Sequence, residues 1–504
     1  MKFLSTLYIF IITLLLISLL TKGVRSNIMP SDVYSLKDYS QPFELSPERG
    51  RYALTQSIVE NHSLFLPLEI AGYVTPDLGY INGNFVSLFA PGVSFVVIPF
   101  YYIGKYFNAN QLFTFWSVGL AAVINAYIIS DIVNRITKTG FGYIAGLSFI
   151  FATSALAYAT TLYQHHFTTL IILLALHITI FSNNTNNSLL MGVLFGVMLL
   201  IEYPAVIFLL PIILVYMFRH YCSLQNKESF KISIDSRIML FILYVFIGII
   251  PTLIYNSYVN TNPFKLSGTV ESVENININN NGSGYEIIKG ETDEFKKSVG
   301  GFFKYENIAN SWYILLLSSE RGILFYSPLY LLTILIFNLK NKISDIEKYP
   351  FYLLVSINFA VLLLYGMWGD PWGGWAFGPR YLIPFFAFSS ILLGIVFKYY
   401  AYSHWFKLSY FTLLVYSILI NVAGALTTNA IVPSKEAESA LMPTIKYLYN
   451  FELIGFGKSS SFIYNTYFSK YIPLTVFYIL IIAIIVFLLF LANKMSSDKI
   501  SHEN

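Results

Sequence analysis

Residues 471–492 read YIPLTVFYILIIAIIVFLLFLA, 22 positions without a charge. At 1.5 Å per residue, a helix of that length crosses roughly 30 Å of hydrocarbon. Residues 3–20, FLSTLYIFIITLLLISLL, repeat the pattern over 18 charge-free positions. The composition agrees: of 504 residues, 56% are hydrophobic and 12% charged, with a mean hydropathy of +0.62. Soluble domains run nearer a quarter charged, so this excess of apolar side chains needs lipid around it. The chain reads as an all-α, multi-pass integral membrane protein with about 12 transmembrane helices. A single cysteine, Cys222, excludes an intramolecular disulfide and any cysteine-based metal cluster. A net charge of +4 is too small to point to a nucleic-acid partner.

Working back along the chain, spans are expected near 3–21, 111–130, 140–161, 167–182, 187–201 and 203–218. Six more are expected near 238–258, 322–338, 350–367, 381–397, 408–427 and 471–492. The pair flanking Glu202-Tyr203-Pro204 reads equally as one broken helix. The first run, preceded by Lys2 and followed by Val24-Arg25-Ser26, is long for a signal peptide and lacks a small-residue cleavage site. It is read as a retained helix.

Lysine and arginine placement sets the orientation. With the N-terminus inside, the inner segments carry 14 of the 31 basic residues, among them Arg135, Arg219, Lys398 and Lys494. The short outer turns carry Arg380 alone. Both termini are then cytoplasmic, and three long segments lie outside: 22–110, 259–321 and 428–470. Residues 1–430 form the catalytic core in this reading, and 431–504 add an outer loop, the last span and a short tail. In the first loop, Ser46-Pro47-Glu48 opens a helix running to Glu60. Ala90 to Phe107, apolar but holding Pro91, Gly92 and Pro99, reads as interfacial helix. Asn275 to Asn281 is a polar low-complexity tract, expected to be mobile. Asn61-His62-Ser63 and Asn281-Gly282-Ser283 match the glycosylation sequon, a weak signal.

Four outer stretches hold chemistry. Glu48-Arg49-Gly50-Arg51-Tyr52 puts a carboxylate at a helix start beside the membrane, where it can take a proton from an acceptor hydroxyl. The bland alternative is a carboxylate complementing the helix dipole. Trp368 to Tyr381 gathers three of the six tryptophans, with Asp370, Trp372, Trp375, Arg380 and Tyr381 among glycines. Indoles stack on sugar faces or anchor in headgroups, and a guanidinium holds a phosphate through paired hydrogen bonds. Glycine at this density shapes backbone closely around something. His166, in Gln164-His165-His166, can bond a substrate or assist proton transfer. Arg321, in Ser319-Glu320-Arg321-Gly322, can contact lipid phosphate or simply anchor in headgroups. The phosphate-binding pattern Gly-x-x-x-x-Gly-Lys-Ser/Thr and the His-Glu-x-x-His zinc motif are absent from the sequence.

These residues resemble the multi-spanning membrane glycosyltransferases of the GT-C superfamily, which use polyprenyl- or dolichyl-phosphate sugars. Protein O-mannosyltransferases and the lipid A aminoarabinose transferase belong to it. The resemblance rests on Glu48 to Tyr52 in the first outer loop, Ala90-Pro91-Gly92 before an interfacial helix, Gln164-His165-His166, and Gly378-Pro379-Arg380-Tyr381. It implies a GT-C-like fold, inverting sugar transfer on the extracytoplasmic face, and a polyprenyl-phosphate sugar and the bilayer as partners. The acceptor would be a protein, lipid or glycan. Glu48 matches the family's acidic position, as base or as a group positioning acceptor and a possible divalent metal. Arg51, Tyr52, His166, Arg321, Asp370, Trp372, Trp375, Arg380 and Tyr381 are the implied substrate contacts. The family's lysine before Pro-Gly is replaced here by Phe89 or Ala90, which shifts the phosphate contact to Arg380, Arg321 or Arg51. A flippase of lipid-linked sugars and an extracytoplasmic polysaccharide polymerase or ligase are the competing readings.

Overall fold

The computed structural model describes residues 2–25, 45–182, 187–224, 232–278, 285–290, 299–339, 341–436 and 444–501. Among them, seven helices are long and apolar enough to cross a membrane: Asn110–Thr137, Tyr203–Tyr221, Ile238–Val259, Ile346–Met367, Arg380–Tyr400, His404–Leu426 and Leu474–Ser496. Five shorter apolar helices stand with them: Leu7–Leu20, Gly142–Phe151, His165–Phe181, Ser188–Ile201 and Pro328–Leu339. Each of the expected spans falls on one of these twelve, and the first belongs to a helix of 19 residues, Lys2–Leu20. The span expected at 140–161 is divided at Ala152–Ser154, with a separate short helix Ala155–Ala159.

Burial separates core from periphery. The apolar stretch of Arg380–Tyr400 is 83% buried, that of Ile238–Val259 only 22%. The latter shows Met239, Leu243, Phe246 and Ile254 to its surroundings, as a helix facing lipid tails does. It is held by close backbone approach to Ser188–Ile201. Gly192 and Gly196 are four apart on that helix, and a Cβ added to Gly196 would lie 2.1 Å from the carbonyl carbon of Gly248. Where lipid removes the hydrophobic drive, such small-residue contact is what associates helices.

The chain is predominantly helical, as expected, and small sheets join its helices. A four-stranded antiparallel sheet, order β2-β1-β5-β6, is built from β1 (Leu78–Ile81), β2 (Asn84–Ser87), β5 (Ser272–Ile278) and β6 (Tyr285–Lys289). A separate hairpin pairs β3 (Cys222–Leu224) with β4 (Ile232–Ile234). Asn82 and Gly83, both at positive φ (49° and 82°), make the two-residue turn between β1 and β2, the conformation a tight hairpin demands. The sheet ties the first long loop to the second. Residues 275–278, expected as mobile chain, pair with β6. The rest of that tract, the Asn281-Gly282-Ser283 sequon and Glu438 lie outside the described residues.

The described helices of the first long loop pack on one another. Pro47 opens helix Ser46–Glu60, its missing N–H costing nothing in the first turn. The region expected as one interfacial helix divides into Gly92–Val96 and Ile98–Tyr106. Ser94 donates to the Arg51 carbonyl at 2.8 Å, and Thr55 donates to the Ser94 carbonyl at 3.2 Å. Tyr52, fully buried, packs on Tyr101, ring centroids 5.8 Å apart, and so braces these helices.

The Trp/Gly turn, 368–379, is irregular backbone held by one side chain. Arg321, 0% exposed, donates from Nε to the Trp372 carbonyl (3.0 Å) and from Nη1 to that of Glu320 (2.9 Å). Its Nη2 reaches the carbonyls of Gly374 (3.3 Å) and Ile431 (2.8 Å). Asp370 accepts from the Gly374 amide, and Gly373, Gly374 and Gly378 all take positive φ. The C-terminal portion is threaded into the same body: Ser461 donates to the Leu19 carbonyl at 2.7 Å.

Two stability predictions follow from this packing. Gly196→Leu should overpack the helix contact and cost about 2 kcal/mol or more, lowering the thermal midpoint in detergent, whereas Gly455→Ala, with open space around it, should leave it unchanged. Arg321→Met should strip four carbonyls of a charged donor, at roughly 3 kcal/mol or more, read as accelerated thermal unfolding of the purified protein.

Candidate functional site

Irregular backbone converges on one cavity of about 420 Å³. Its wall is assembled from the start of helix Ser46–Glu60, the Phe89-Ala90 segment, Tyr163-Gln164, the break at Glu202-Tyr203-Pro204, and the paired ends Tyr365-Trp368 and Arg380-Tyr381. Leu199, Ile201, Ile207, Leu266, Phe302 and Phe303 make much of the rest apolar. Ile207 lines the cavity and is also 38% exposed, so the wall at that point lies next to the surroundings of the bundle.

Two arginines from distant parts of the sequence enter this space. Arg51, 4% exposed, donates from Nη1 to the Pro47 carbonyl at 2.8 Å and lies over the Phe89 ring at 4.4 Å. Arg380 lies over the rings of Tyr163 and Tyr381, at 5.3 and 5.4 Å. The Nε of each is buried and has no hydrogen-bond partner among the described residues. Burial pulls the Arg51 guanidinium down to about 10, reinforced by Arg380 and opposed by Tyr163 and Glu202. It therefore remains cationic at neutral pH.

Of three carboxylates that share the field of these arginines, Glu202 lines the cavity, whereas Glu48 and Asp77 do not. Glu48, 0% exposed, stands one turn before Arg51 on the same helix. Burial pushes the Tyr163 phenol well above its usual range, the Glu48 charge adds to that, and Arg380 opposes it, so all three share one field. Asp77 accepts from the Ser46 hydroxyl at 2.5 Å. Burial raises its pKa against the opposing pull of that hydrogen bond and of Arg380, Arg49 and Arg51. Glu202 accepts from Thr168 (2.6 Å), Tyr365 (3.2 Å) and Gln164 (3.4 Å).

The expected contact residues distribute unevenly. Arg51, Arg380 and Tyr381 line the cavity; Tyr52, His166, Arg321, Asp370, Trp372 and Trp375 do not. The His166 ring meets the Ala155 carbonyl at 2.8 Å, and its own carbonyl accepts from Asn125 at 2.9 Å, a helix-packing role. Adjacent residues on a helix point about 100° apart, and it is His165 that turns toward the site, stacked with Tyr163 at 5.9 Å and edge-on to Tyr381. Trp375 is exposed and donates to Glu436 at 2.8 Å. Asp77, Tyr163 and Tyr365 join the site without a sequence motif to announce them, whereas Gln164 belongs to the polar turn and Glu202 to the helix break already legible in the sequence. Tyr365 stacks flat on Tyr381, 4.6 Å between centroids and 4° between planes. Among the described residues, no group of three or more His, Cys, Asp or Glu is placed to hold a metal ion.

No protein-family model and no curated protein matches the sequence. Among solved structures, the chain is similar to the crystal structure of ArnT from Cupriavidus metallidurans in the apo state. The identity is 11% and the TM-score 0.50, over 98% of this chain and 78% of that one. A crystal structure of ArnT from the same organism bound to undecaprenyl phosphate aligns at 10% identity and a TM-score of 0.48, over 98% and 77%. At such identities the likeness is one of fold alone: this chain is a multi-pass membrane protein whose fold is similar to that of ArnT.

Proposed function

We propose that the chain is a membrane glycosyltransferase that moves a sugar from a polyprenyl-phosphate donor to an extracytoplasmic acceptor, with inversion. The observation that carries this is the pair Arg51 and Arg380: one buried and one half-buried guanidinium, each with a buried Nε that lacks a partner among the described residues, in one cavity whose other walls are largely apolar. An amphiphile with an anionic head and a hydrocarbon tail fits both halves of that description. The phosphate takes the arginine end, and the tail leaves past Ile207 toward lipid.

The chemistry follows from the charge that develops. An acceptor hydroxyl oxygen attacks the anomeric carbon, the bond from that carbon to the phosphate oxygen breaks, and the electron pair departs with the lipid phosphate. Negative charge on the leaving group is greatest in the transition state. Guanidiniums fixed by ring stacking stabilise it more there than in the bound donor, which is what lowers a barrier. Glu48 takes the acceptor proton as the new bond forms. Ile431 and Glu436 of the third outer loop lie beside the Trp/Gly turn, in a position to present the acceptor. Both termini are placed on the cytoplasmic side and the cavity on the other.

Two measurements test this. Undecaprenyl phosphate should raise the thermal midpoint of the purified protein, and Arg51→Ala combined with Arg380→Ala should abolish the shift; an equal shift in the double variant refutes the phosphate assignment. With radiolabelled polyprenyl-phosphate mannose or glucose and a membrane extract as acceptor, label should pass to a non-donor product. Glu48→Gln should slow this on the order of 10²-fold or more, and Arg380→Ala similarly. Label that crosses sealed vesicles without being transferred would make the protein a flippase.

A further inference from the structure

Glu202 occupies a position that the phosphate assignment leaves unexplained. The residue stands at the break between helices Ser188–Ile201 and Val206–Tyr221, in extended conformation (φ −157°, ψ 103°). That break turns a charged side chain into the cavity instead of along a helix face. A carboxylate between two apolar helices is expensive in a membrane protein and marks a functional site by default.

Its surroundings orient it. Thr168 and Gln164 approach from one side and Tyr365 from another helix, so three neutral donors fix the group. No ion pair within 4 Å joins it to Arg51 or Arg380. Each carboxylate oxygen has two acceptor positions. Oε2 uses one, on Thr168, and keeps another. A phosphate is drawn to the arginines and repelled by Glu202, so the two ends of the cavity sort a lipid-phosphate sugar by charge. The part that meets Glu202 must carry no negative charge and be rich in hydrogen-bond donors, and of a lipid-phosphate sugar only the sugar is both. Tyr365, which donates to Glu202, also forms the flat stack with Tyr381 beside Arg380, so the carboxylate is tied to the arginine end by a rigid spacer.

We infer that Glu202 recognises the donor's sugar, accepting hydrogen bonds from its hydroxyls in the same cavity where Arg51 and Arg380 hold the phosphate. This rests on the lipid-phosphate reading proposed above. Sites built to bond a hydroxyl reject analogues that lack it, because a buried polar group is then left unpaired. Glu202 is therefore a specificity residue, separate from the group that takes the acceptor proton.

The test uses the full-length protein in lipid nanodiscs with four probes: undecaprenyl phosphate, and the same lipid phosphate carrying glucose, mannose or galactose. Wild-type protein should bind at least one sugar-bearing probe tenfold or more tightly than the bare lipid. Glu202→Gln should lose that advantage while binding bare undecaprenyl phosphate as tightly as before or more so, since a repelling charge is gone. A purely structural role for Glu202 would weaken all four probes together and overturn the inference. So would an advantage that survives the substitution, or the absence of any advantage in wild type. If Glu202→Gln fails to fold, Thr168→Val removes the bond that orients Oε2 and should reduce the advantage in the same way; an undiminished advantage there overturns the inference. Failure of wild type to bind bare undecaprenyl phosphate would instead remove the lipid-phosphate reading itself.

Discussion

A backbone surrounded by hydrocarbon must satisfy its own N–H and C=O groups, and that requirement governs where this chain can be irregular. Regular helix runs through the apolar stretches, and departures from it occur where protein encloses them. The breaks at 160–164 and at Glu202 to Pro204, together with Trp368 at the start of the Trp/Gly turn, contribute to the wall of a single cavity. The largest of these departures is held by Arg321, whose guanidinium donates to four carbonyls at once. The same constraint that forbids loose backbone in lipid thus collects the loose backbone into one place.

Charge follows the same logic. Arg49, Arg51, Arg380, Glu48, Asp77 and Glu202 act on one another within a region that is mostly buried. Three of them come from one helix turn, the others from residues 77, 202 and 380. Opposite charges gathered away from water compensate one another only where geometry lets them pair. Here the arginines are stacked on aromatic rings instead, over Phe89, Tyr163 and Tyr381. Stacking fixes the guanidinium planes while leaving N–H groups available, the arrangement an anion site requires.

Much of this was open to reading along the chain. Charge-free runs locate the apolar helices because the length needed to cross lipid is set by the bilayer, independently of what packs beside them. Helix Ser46–Glu60 is announced by Ser46-Pro47-Glu48, and the glycines of the Trp/Gly turn by their density. The Asn82-Gly83 pair is an equally local hairpin signal, but β5 and β6 lie almost two hundred residues away in a polar tract that looks unstructured in isolation. His165 and His166 are indistinguishable as neighbours in sequence; only helical phase separates the one beside Tyr163 from the one packed on Asn125.

What the sequence by itself determined is a multi-pass membrane protein, the placement of its apolar helices, and the presence of arginine and carboxylate at the start of the first-loop helix and at the end of the Trp/Gly turn. These are properties of composition and short-range pattern, and bilayer thickness or one turn of helix is enough to express them. Tertiary structure alone decided that Arg51 and Arg380, more than three hundred residues apart, share a cavity with Glu202, and that Arg321 is consumed in holding backbone. It also decided which two loops share a sheet. Those outcomes depend on which helices pack together and in what rotation, and that is set by long-range side-chain and backbone contacts that no local window contains.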